Sequence, residues 1–280
     1  MAGMLYICAT PIGNLEDITL RTLRILKEVD LIAAEDTRNS IKLLNHFEIK
    51  TPMTSYHEFN KYDKAKVLVE KMLNGTNVAL ITDAGTPAIS DPGEELVRQC
   101  LDAGVKVTSL PGPSAMVTAL TLSGQKTRRF SFEAFLPYDK KERAAVLEEL
   151  KRETRTIIVY EAPHKLKKTL KDLYEALGDR SISLCRELTK KHEENHCTTL
   201  AEAITFYEET EPRGEFVLVI EGADRKILQT EEIKDLLAMS IPEHVAFYME
   251  QGMDKKEAMK AAAKDRGVGK RDIYQELIDE

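Results

Sequence analysis

The sequence of 280 residues predicts an α/β protein, in which two α/β domains are followed by a small C-terminal helical region. Short β-branched runs alternate with helical stretches over residues 1–222, a pattern typical of mainly parallel sheets. Beyond that point the composition shifts to Ala, Lys, Glu and Met. We therefore predict an N-terminal α/β domain over residues 1–122, a second α/β domain over residues 123–224 and a helical appendix over residues 225–280.

The N-terminal series combines buried-strand runs with amphipathic helices. In Leu15–Leu26, apolar side chains recur at helical spacing, and Asp17 is the predicted N-cap. Asn74 and Gly75 end a later helix. In chain order we predict strand Met4–Ala9, helix Leu15–Leu26, strand Leu31–Ala34, helix Lys64–Leu73, strand Asn77–Thr82, helix Glu94–Ala103, strand Val105–Leu110 and helix Ala115–Leu122.

A second series begins after a polar and basic segment, Ser123–Arg129, which we interpret as a linker. The strand runs of this series predict a second α/β domain, with a mixed sheet. Its predicted elements are strand Phe130–Phe135, helix Lys140–Lys151, strand Thr156–Tyr160, helix Lys165–Leu177, strand Ser181–Cys185, helix Leu200–Glu209 and strand Glu215–Glu221.

The appendix is predicted to be purely helical, and Pro242 suits a first helical position. Residues 255–271 carry seven Lys and Arg against two acids, a net charge of 7 − 2 = +5. Such a segment is either a solvated helix face or a module that contacts phosphates, and its contrast with the rest of the chain favours the second interpretation. The predicted helices are Glu231–Met239, Pro242–Gln251, Lys255–Asp265 and Lys270–Asp279.

The composition limits the classes of protein to which this chain can belong. Hydrophobic residues make up 42% and charged residues 31%, an ordinary globular profile. No window approaches the ~18 apolar residues of a membrane span, and the first basic residue, Arg21, comes too late for a signal peptide. Four scattered cysteines fit a reducing cytoplasm. The net charge of 40 − 47 = −7 means that any nucleic-acid partner requires local basic patches.

Three loops rich in Gly and Pro follow predicted strands. They are residues 10–14 (TPIGN), 83–93 (DAGTPAISDPG) and 111–115 (PGPSA). Each alone could be a tight turn. Because ligands of open α/β sheets bind beyond the carboxyl ends of the strands, three such loops together favour a ligand crevice. The third also opens a helix, whose N-terminal N–H groups attract an anion. Neither the dinucleotide nor the P-loop glycine pattern occurs.

Charged residues also follow the predicted strands. Residues 34–38 (AEDTR) either contribute to the crevice or cap the next helix, while 160–164 (YEAPH) and 186–191 (RELTKK) are either a second crevice wall or an ion-pair surface. Residues 192–196 read His-Glu-Glu-Asn-His, which matches a zinc-protease pattern. We do not interpret it as a metal site, because its flanks are polar and Cys197-Thr198-Thr199 would interrupt the required helix.

Taken together in order, these motifs resemble one known family. ATPIGNLEDITLRTL, AEDTRNSIKLL, ITDAGTPAISDPG, LPGPSA, FLP (135–137), YEAPHKL, RELTKKHEE and RGEFVLVIEG are similar to the ribosomal RNA small subunit methyltransferase I family of the tetrapyrrole methylase superfamily. The resemblance covers residues 4–222, and the appendix also looks like the C-terminal region of this family. Two departures are Lys165, where the family often has Arg, and the lack of a Gly at Cys197-Thr198-Thr199.

The resemblance implies a homodimer in which S-adenosylmethionine (SAM) binds in a cleft between the two α/β domains. It implies methylation of the ribose 2′-hydroxyl of a cytidine in small-subunit (16S) ribosomal RNA, near the decoding centre, without a metal. The substrate could be free RNA or the assembled subunit. Carried over residue by residue, the expected cofactor contacts are Pro11, Gly85, Thr86, Ile89, Ser114, Ala115, Tyr160, Ala162, Pro163 and Glu215.

The catalytic groups are a hypothesis drawn from charges at the strand ends. A ribose hydroxyl is a weak acid, so either Glu35 or Glu187 would accept its proton, and Arg38, Arg186 or Lys190 would orient the ribose or phosphate. Two other functions remain open, a small-molecule tetrapyrrole methyltransferase and a SAM-dependent RNA-binding protein without catalysis. The basic appendix argues against the first, because a porphyrinoid substrate does not require it.

Overall fold

The computed structural model describes residues 2–278, apart from the side chains of Glu231 and Glu232. The described chain divides into two compact units. One contains residues 1–150 and 155–221, the other residues 151–154 and 222–280. Both sheets lie in the first unit, so the predicted domain boundary at residues 122–123 stays a prediction.

The first sheet has five strands in the order β3-β2-β4-β1-β5, and every pairing between them is parallel. The parallel sheet predicted for the N-terminal series is therefore confirmed. The elements are β1 (Met4–Cys8), α1 (Leu20–Glu28), β2 (Leu31–Ala34), α2 (Thr37–His46), β3 (Met53–Ser55), α3 (Lys61–Leu73), β4 (Val78–Ile81), α4 (Gly93–Asp102), β5 (Lys106–Leu110) and α5 (Ala115–Leu122).

The second sheet has the order β6-β7-β10-β8-β9 and is mixed, as the sequence predicts. Strands β6 and β7 are parallel, whereas β10 runs antiparallel to both β7 and β8. The elements are β6 (Phe130–Phe135), α6 (Lys140–Lys151), β7 (Thr156–Glu161), α7 (Pro163–Leu177), β8 (Ser181–Arg186), β9 (Glu194–Thr199), α8 (Leu200–Glu209) and β10 (Phe216–Ile220).

Strand β6 contains a bulge next to the edge that carries the candidate site. Its pairing with β7 steps from Phe132 opposite Ile158 to Ala134 opposite Val159, which leaves Glu133 as an extra residue. Ala134 has a positive φ of 52°. A bulge re-aims the side chains beyond it, and here both Phe132 and Phe135 contact the ring of Tyr160, with centroids 5.0 and 5.7 Å away.

Each sheet is buried on both faces, which explains the unbroken apolar runs of its central strands. In the second sheet, one face packs against α6, α7 and α8 around residues such as Leu166 and Leu170. The opposite face packs against α5, where Ala119 and Leu120 meet Ile158 and Val217. Helix α5 therefore lies against the second sheet directly after the last strand of the first.

The second unit contains four helices within the described residues, and the helical prediction for the appendix is confirmed as far as the structure describes it. Asp254 caps α11 with a capping box, and Gly267 ends that helix with a φ of 65°. Asp279, the predicted end of the last helix, lies outside the described residues. The helices are α9 (Arg225–Ala238), α10 (Ile241–Glu250), α11 (Lys255–Arg266) and α12 (Lys270–Glu276).

Some predicted local structure is wrong. The single helix expected over Leu15–Leu26 is a short 3-10 turn, Leu15–Asp17, followed by α1, whose N-cap is Thr19 rather than Asp17. The hydroxyl of Thr19 accepts a hydrogen bond from the N–H of Thr22 at 3.1 Å, while Ile18 is extended and separates the two turns. Helix α9 begins six residues earlier than predicted.

Candidate functional site

A cleft of about 620 Å³ lies where loops from the carboxyl ends of the first sheet meet the edge of the second sheet. This volume falls within the usual range for small-molecule sites, about 300–1,000 Å³. Eleven of the fifteen predicted site residues line it, and Pro11, Arg38, Arg186 and Glu187 do not. The lining predicted residues are Glu35, Gly85, Thr86, Ile89, Ser114, Ala115, Tyr160, Ala162, Pro163, Lys190 and Glu215.

Backbone hydrogen bonds join the loops of the first wall. The N–H of Thr10 donates to the carbonyl of Gly85 at 2.9 Å, and the N–H of Gly85 donates back at 3.0 Å. The hydroxyl of Thr86 donates to the carbonyl of Pro113 at 2.9 Å. The three glycine- and proline-rich loops therefore form one connected surface. Pro11, directly after Thr10, belongs to this junction without lining the cleft.

The middle loop holds an unusual backbone conformation around Asp91. Ala88 and Ser90 both have positive φ values, 65° and 60°, which cost non-glycine residues about 1–2 kcal/mol each. The carboxylate of Asp91 accepts hydrogen bonds from the N–H groups of Ala88 at 2.9 Å and Gly93 at 2.7 Å. Burial raises the pKa of Asp91, although these donors oppose the shift. The carboxylate thus fixes a strained loop at the cleft floor.

The N-terminus of α5 opens into the cleft. Ser114 is its N-cap, but the Ser114 side chain makes no capping hydrogen bond to the described helix. The phenolic oxygen of Tyr160 accepts a hydrogen bond from the N–H of Met116 at 3.2 Å, and burial raises the pKa of Tyr160. Ser114 and Ala115 line the cleft. The helix dipole and the first N–H groups therefore favour a negatively charged ligand group there.

The second wall carries a charged cluster around Lys190. Its Nζ donates to Glu187 Oε1 and to Glu215 Oε2, both at 2.9 Å. Burial alone would lower the pKa of Lys190, but the two carboxylates outweigh it and raise that pKa. A Cβ on Gly13 would lie 2.4 Å from Lys190 Cγ, so only glycine allows the first loop to approach this lysine so closely.

The carboxylate of Glu187 is fixed by two hydrogen-bond donors. Its Oε1 accepts the N–H of Glu215 at 3.0 Å as well as the Lys190 ammonium. Partial burial would raise the pKa of Glu187, but the hydrogen bonds from Glu215 and Lys190 outweigh it and lower that pKa. Both Glu187 and Thr189 have positive φ values, 51° and 66°. Strain of this kind in non-glycine residues is concentrated at functional sites.

The predicted charged residues after β2 separate in space. Glu35 lines the cleft, and its Oε2 accepts the hydroxyl of Thr82 at 2.5 Å. Arg38 points elsewhere, with 89% of its side chain exposed, and binds Asp36 in a two-pronged ion pair of 2.8 and 3.1 Å. These hydrogen bonds from Arg38 lower the pKa of Asp36 to about 2. Asp36 also caps α2, the alternative that the sequence left open for this segment.

Sequence reasoning missed several lining residues, although most lie within the motifs. Glu161 sits inside YEAPH and is almost fully buried, where Thr169 donates to its Oε2 at 2.5 Å. Asp83 opens the middle loop, and Phe135 belongs to FLP. Only their positions in these motifs could have signalled them. The other missed lining residues are Ile12, Thr82, Ala84, Ser90, Asp91, His164, Cys185, Leu188, Phe216 and Val217.

The zinc-protease pattern at residues 192–196 runs into β9, which begins at Glu194. A strand cannot place its two histidines on one helical face, so the chain lacks the required geometry there. Among the residues described, no three His, Cys, Asp or Glu side chains are grouped so as to hold a metal ion. None of the described helices combines the length and apolar character needed to cross a membrane.

The fold is that of a known class of protein. The family model described as Tetrapyrrole (Corrin/Porphyrin) Methylases matches residues 4–204, and the chain therefore belongs to this family. A solved structure in the same class, titled uroporphyrin-III C-methyl transferase from Thermus thermophilus complexed with S-adenyl homocysteine, has a TM-score of 0.55 at 20% identity. It covers 78% of this chain and 97% of its own.

Within this family, the chain is similar to proteins named ribosomal RNA small subunit methyltransferase I. It is 51% identical to the one from Halalkalibacterium halodurans and 48% identical to the one from Bacillus subtilis. Each comparison covers 97% of this chain and 93% of the relative. The family resemblance drawn from eight sequence motifs is therefore confirmed.

Proposed function

We propose that this protein transfers the methyl group of SAM to the ribose 2′-hydroxyl of a cytidine in small-subunit ribosomal RNA, near the decoding centre. One observation carries the proposal. A single cleft is lined by a carboxylate from the first sheet, Glu35, and an ammonium group from the second, Lys190. The names of the relatives supply the substrate class, ribosomal RNA of the small subunit.

The cleft has the chemistry that SAM requires. The open N-terminus of α5, at Ser114 and Ala115, would hold the carboxylate of its amino-acid part. Apolar side chains such as Ile89 and Val217, with Tyr160, Ala162 and Pro163, would enclose the adenosine. Gly85 and Thr86 would approach through their backbones, while Pro11 and Glu215 would act from the edge of the site. When bound, SAM supplies an electrophilic methyl group on a sulfonium.

The remaining chemistry is proton removal and alignment by the chain. In-line displacement is fast when the attacking oxygen is held ~3 Å from the carbon and correctly aligned. Glu35 would accept the hydroxyl proton, since it lines the cleft and Thr82 engages only its Oε2. Lys190 would orient the ribose or phosphate. Glu187 is the weaker base, because Lys190 and the Glu215 N–H hold its ionised form, and Arg38 is bound to Asp36.

A surface of the second unit supports RNA as the partner. Lys256, Lys260 and Lys264 recur every four residues and lie along one exposed face of α11. Lys270 and Arg271 are exposed at the start of α12. Within residues 2–278 none of these five cations is ion-paired with a described carboxylate, so all five are available for phosphates.

Helix α5 supports the proposal of a homodimer. All eight of its residues are apolar or threonine, yet it buries only Ala119 and Leu120. Val117 and Leu122 remain 48% and 41% exposed. A helix that is apolar on all sides is normally covered on all sides. Val117→Asp should therefore lower the oligomeric state measured by sedimentation, whereas a monomeric wild type would count against the dimer.

The test uses small ribosomal subunits from cells that lack the enzyme, together with methyl-labelled SAM. We expect label in 2′-O-methylcytidine, or in an N4-methylated form of it, after digestion of the RNA. SAM binding without transfer to any substrate would instead favour an RNA-binding protein, and transfer only to a tetrapyrrole would favour the small-molecule enzyme. Replacing Lys256, Lys260 and Lys264 together by Gln should weaken subunit binding and leave SAM affinity unchanged.

A further inference from the structure

Two exposed aromatic side chains lie on the segment that leaves the second wall of the cleft. Phe135 lines the cleft at the end of β6 and is 58% exposed. Tyr138, three residues later, is 88% exposed and does not line the cleft. Large exposed rings that lie close together in the chain beside a ligand-sized cleft mark an interaction surface.

A cation lies over the more exposed ring. The Nζ of Lys165, in the first turn of α7, is 4.7 Å from the ring centroid of Tyr138. In the described part of the chain this ammonium is not ion-paired with a carboxylate. The next residue back, His164, lines the cleft. We name Phe135, Tyr138 and Lys165 the aromatic rim, since they continue the cleft wall outward.

The backbone of the rim is fixed at both sides of Tyr138. Leu136 is buried in the core that packs the second sheet against its helices. Asp139 caps α6, accepting hydrogen bonds from the N–H groups of Lys141 at 2.9 Å and Glu142 at 3.1 Å. An exposed ring between two anchored neighbours loses little backbone freedom when a ligand covers it. The rim is thus preorganised for contact.

The charge around the rim selects an anionic occupant. Lys140 and Lys141, at the start of α6, are exposed within three residues of Tyr138 and, together with Lys165, outnumber the neighbouring Asp139, whose carboxylate already caps α6. Aromatic rings next to cations are the usual surface for unpaired nucleotides, because each base has a face that stacks and each linkage has a phosphate. A duplex hides these base faces. The pattern therefore favours an unpaired RNA segment over a double helix.

We propose that the aromatic rim stacks an unpaired nucleobase of the RNA substrate that flanks the nucleotide held in the cleft, while Lys165 contacts its phosphate. This inference rests on the proposed function and adds the class of RNA that the site accepts, a single-stranded or splayed segment. Tyr138 and Lys165 are binding residues of this surface, and they act outside the SAM site.

The experiment compares Tyr138→Ala with two partners. Tyr138→Phe keeps the aromatic ring. Tyr174→Ala removes an exposed tyrosine outside the rim, near the other end of α7 and about 13 Å along that helix from Lys165. We measure the KM and kcat for unmethylated small subunits, the Kd for SAM, and the Kd for a short single-stranded RNA and for the same RNA in a duplex. The last two measurements require no catalysis.

In Tyr138→Ala one base loses its stacking partner. We therefore expect the KM for small subunits and the Kd for single-stranded RNA to rise about tenfold. SAM affinity and duplex binding should stay within twofold, and Tyr138→Phe and Tyr174→Ala should behave as wild type. Lys165→Ala should reduce the slope of log affinity against log salt concentration by about one, because one phosphate contact is lost. The rim is refuted if Tyr138→Ala matches wild type on single-stranded RNA, or if Tyr174→Ala is equally weakened. A wild type that binds RNA through Tyr138 but transfers no methyl group would refute the proposed function alone.

Discussion

The two walls of the cleft differ in the atoms that form them: backbone atoms in the first wall and side-chain atoms in the second. The first wall is largely backbone: the N–H groups of Thr10 and Gly85 each donate to the other residue's carbonyl, and the hydroxyl of Thr86 donates to the carbonyl of Pro113. The second wall is largely side chains, with Tyr160 contacting α5 and Lys190 joining two carboxylates. Backbone surfaces depend on glycine and loop shape, whereas side-chain surfaces depend on charge. Substitutions in the two walls should therefore fail in different ways.

The largest effect is expected from Glu35, the one carboxylate on the first wall that we assign to proton transfer. Glu35→Gln keeps the shape and the contact with Thr82 but removes the basic group. We expect turnover to fall by about 10²–10⁴-fold with SAM affinity nearly unchanged, measured by methyl transfer and calorimetry. Glu187→Gln is the matched control on the second wall. If the Glu187 variant loses turnover and the Glu35 variant does not, the roles are reversed.

A smaller effect is expected from a substitution that displaces the backbone of the first wall. A Cβ on Gly112 would lie 2.6 Å from the Cβ of Ala9, both beside buried strands. Gly112→Ala should cost about 1–3 kcal/mol of unfolding free energy through overpacking, and should weaken SAM binding by displacing the loop that begins α5. Gly104→Ala is the control for SAM affinity, because its Cβ meets open space far from Ala9; its φ of 72° strains the backbone, so the two variants are compared by SAM affinity and not by stability. Equal losses of SAM affinity in both would mean that the contact with Ala9 is unimportant.

The ion cluster of the second wall predicts a pH-dependent effect on stability. The folded-state pKa of Glu187 is lowered, so its ionised form stabilises the fold above its unfolded pKa, about 4.3. This contribution is lost as the pH falls through the folded pKa. Glu187→Gln should thus be less stable than wild type by up to about 1 kcal/mol at neutral pH, and equally stable in strong acid. Denaturant titrations across this range measure it, and a constant difference would contradict the assignment.

The smallest effect concerns thiol reactivity. Burial raises the pKa of Cys8 and Cys100 to about 12 and that of Cys185, on the cleft, to about 11. Cys197 on β9 is exposed. A thiol reagent at mild alkaline pH should label a single cysteine in the folded protein and four after unfolding, and Cys197→Ser should abolish the fast phase. Fast labelling of Cys185 would mean that the cleft opens more widely than described.

The sequence predicts those features that local packing determines, and it misses those that depend on contacts between distant parts of the chain. Strand β4 and helix α5 were predictable because periodicity and buried runs report local packing. Strands β3 and β9 were not, since both are polar or short and lie at sheet edges, where pairing with one neighbour decides the structure. The motifs indicated the cleft, but Arg38 and Glu187 were indistinguishable from lining residues. Their ion pairs depend on distances that only the folded chain sets.

The bulge in β6 has a consequence for how this chain can vary. Side chains of a strand alternate between faces, so a count of residues decides which face each one joins. The extra residue, Glu133, changes that parity, which is why Phe132 and Phe135 both reach the ring of Tyr160. Deleting Glu133 would remove the bulge and leave Phe132 and Phe135 two residues apart on a regular strand, still on the same face. Substitution or deletion at residue 133 should therefore be tolerated far better than the insertion of one more residue between Phe132 and Phe135, which would turn Phe135 away from the cleft unless a second residue bulged.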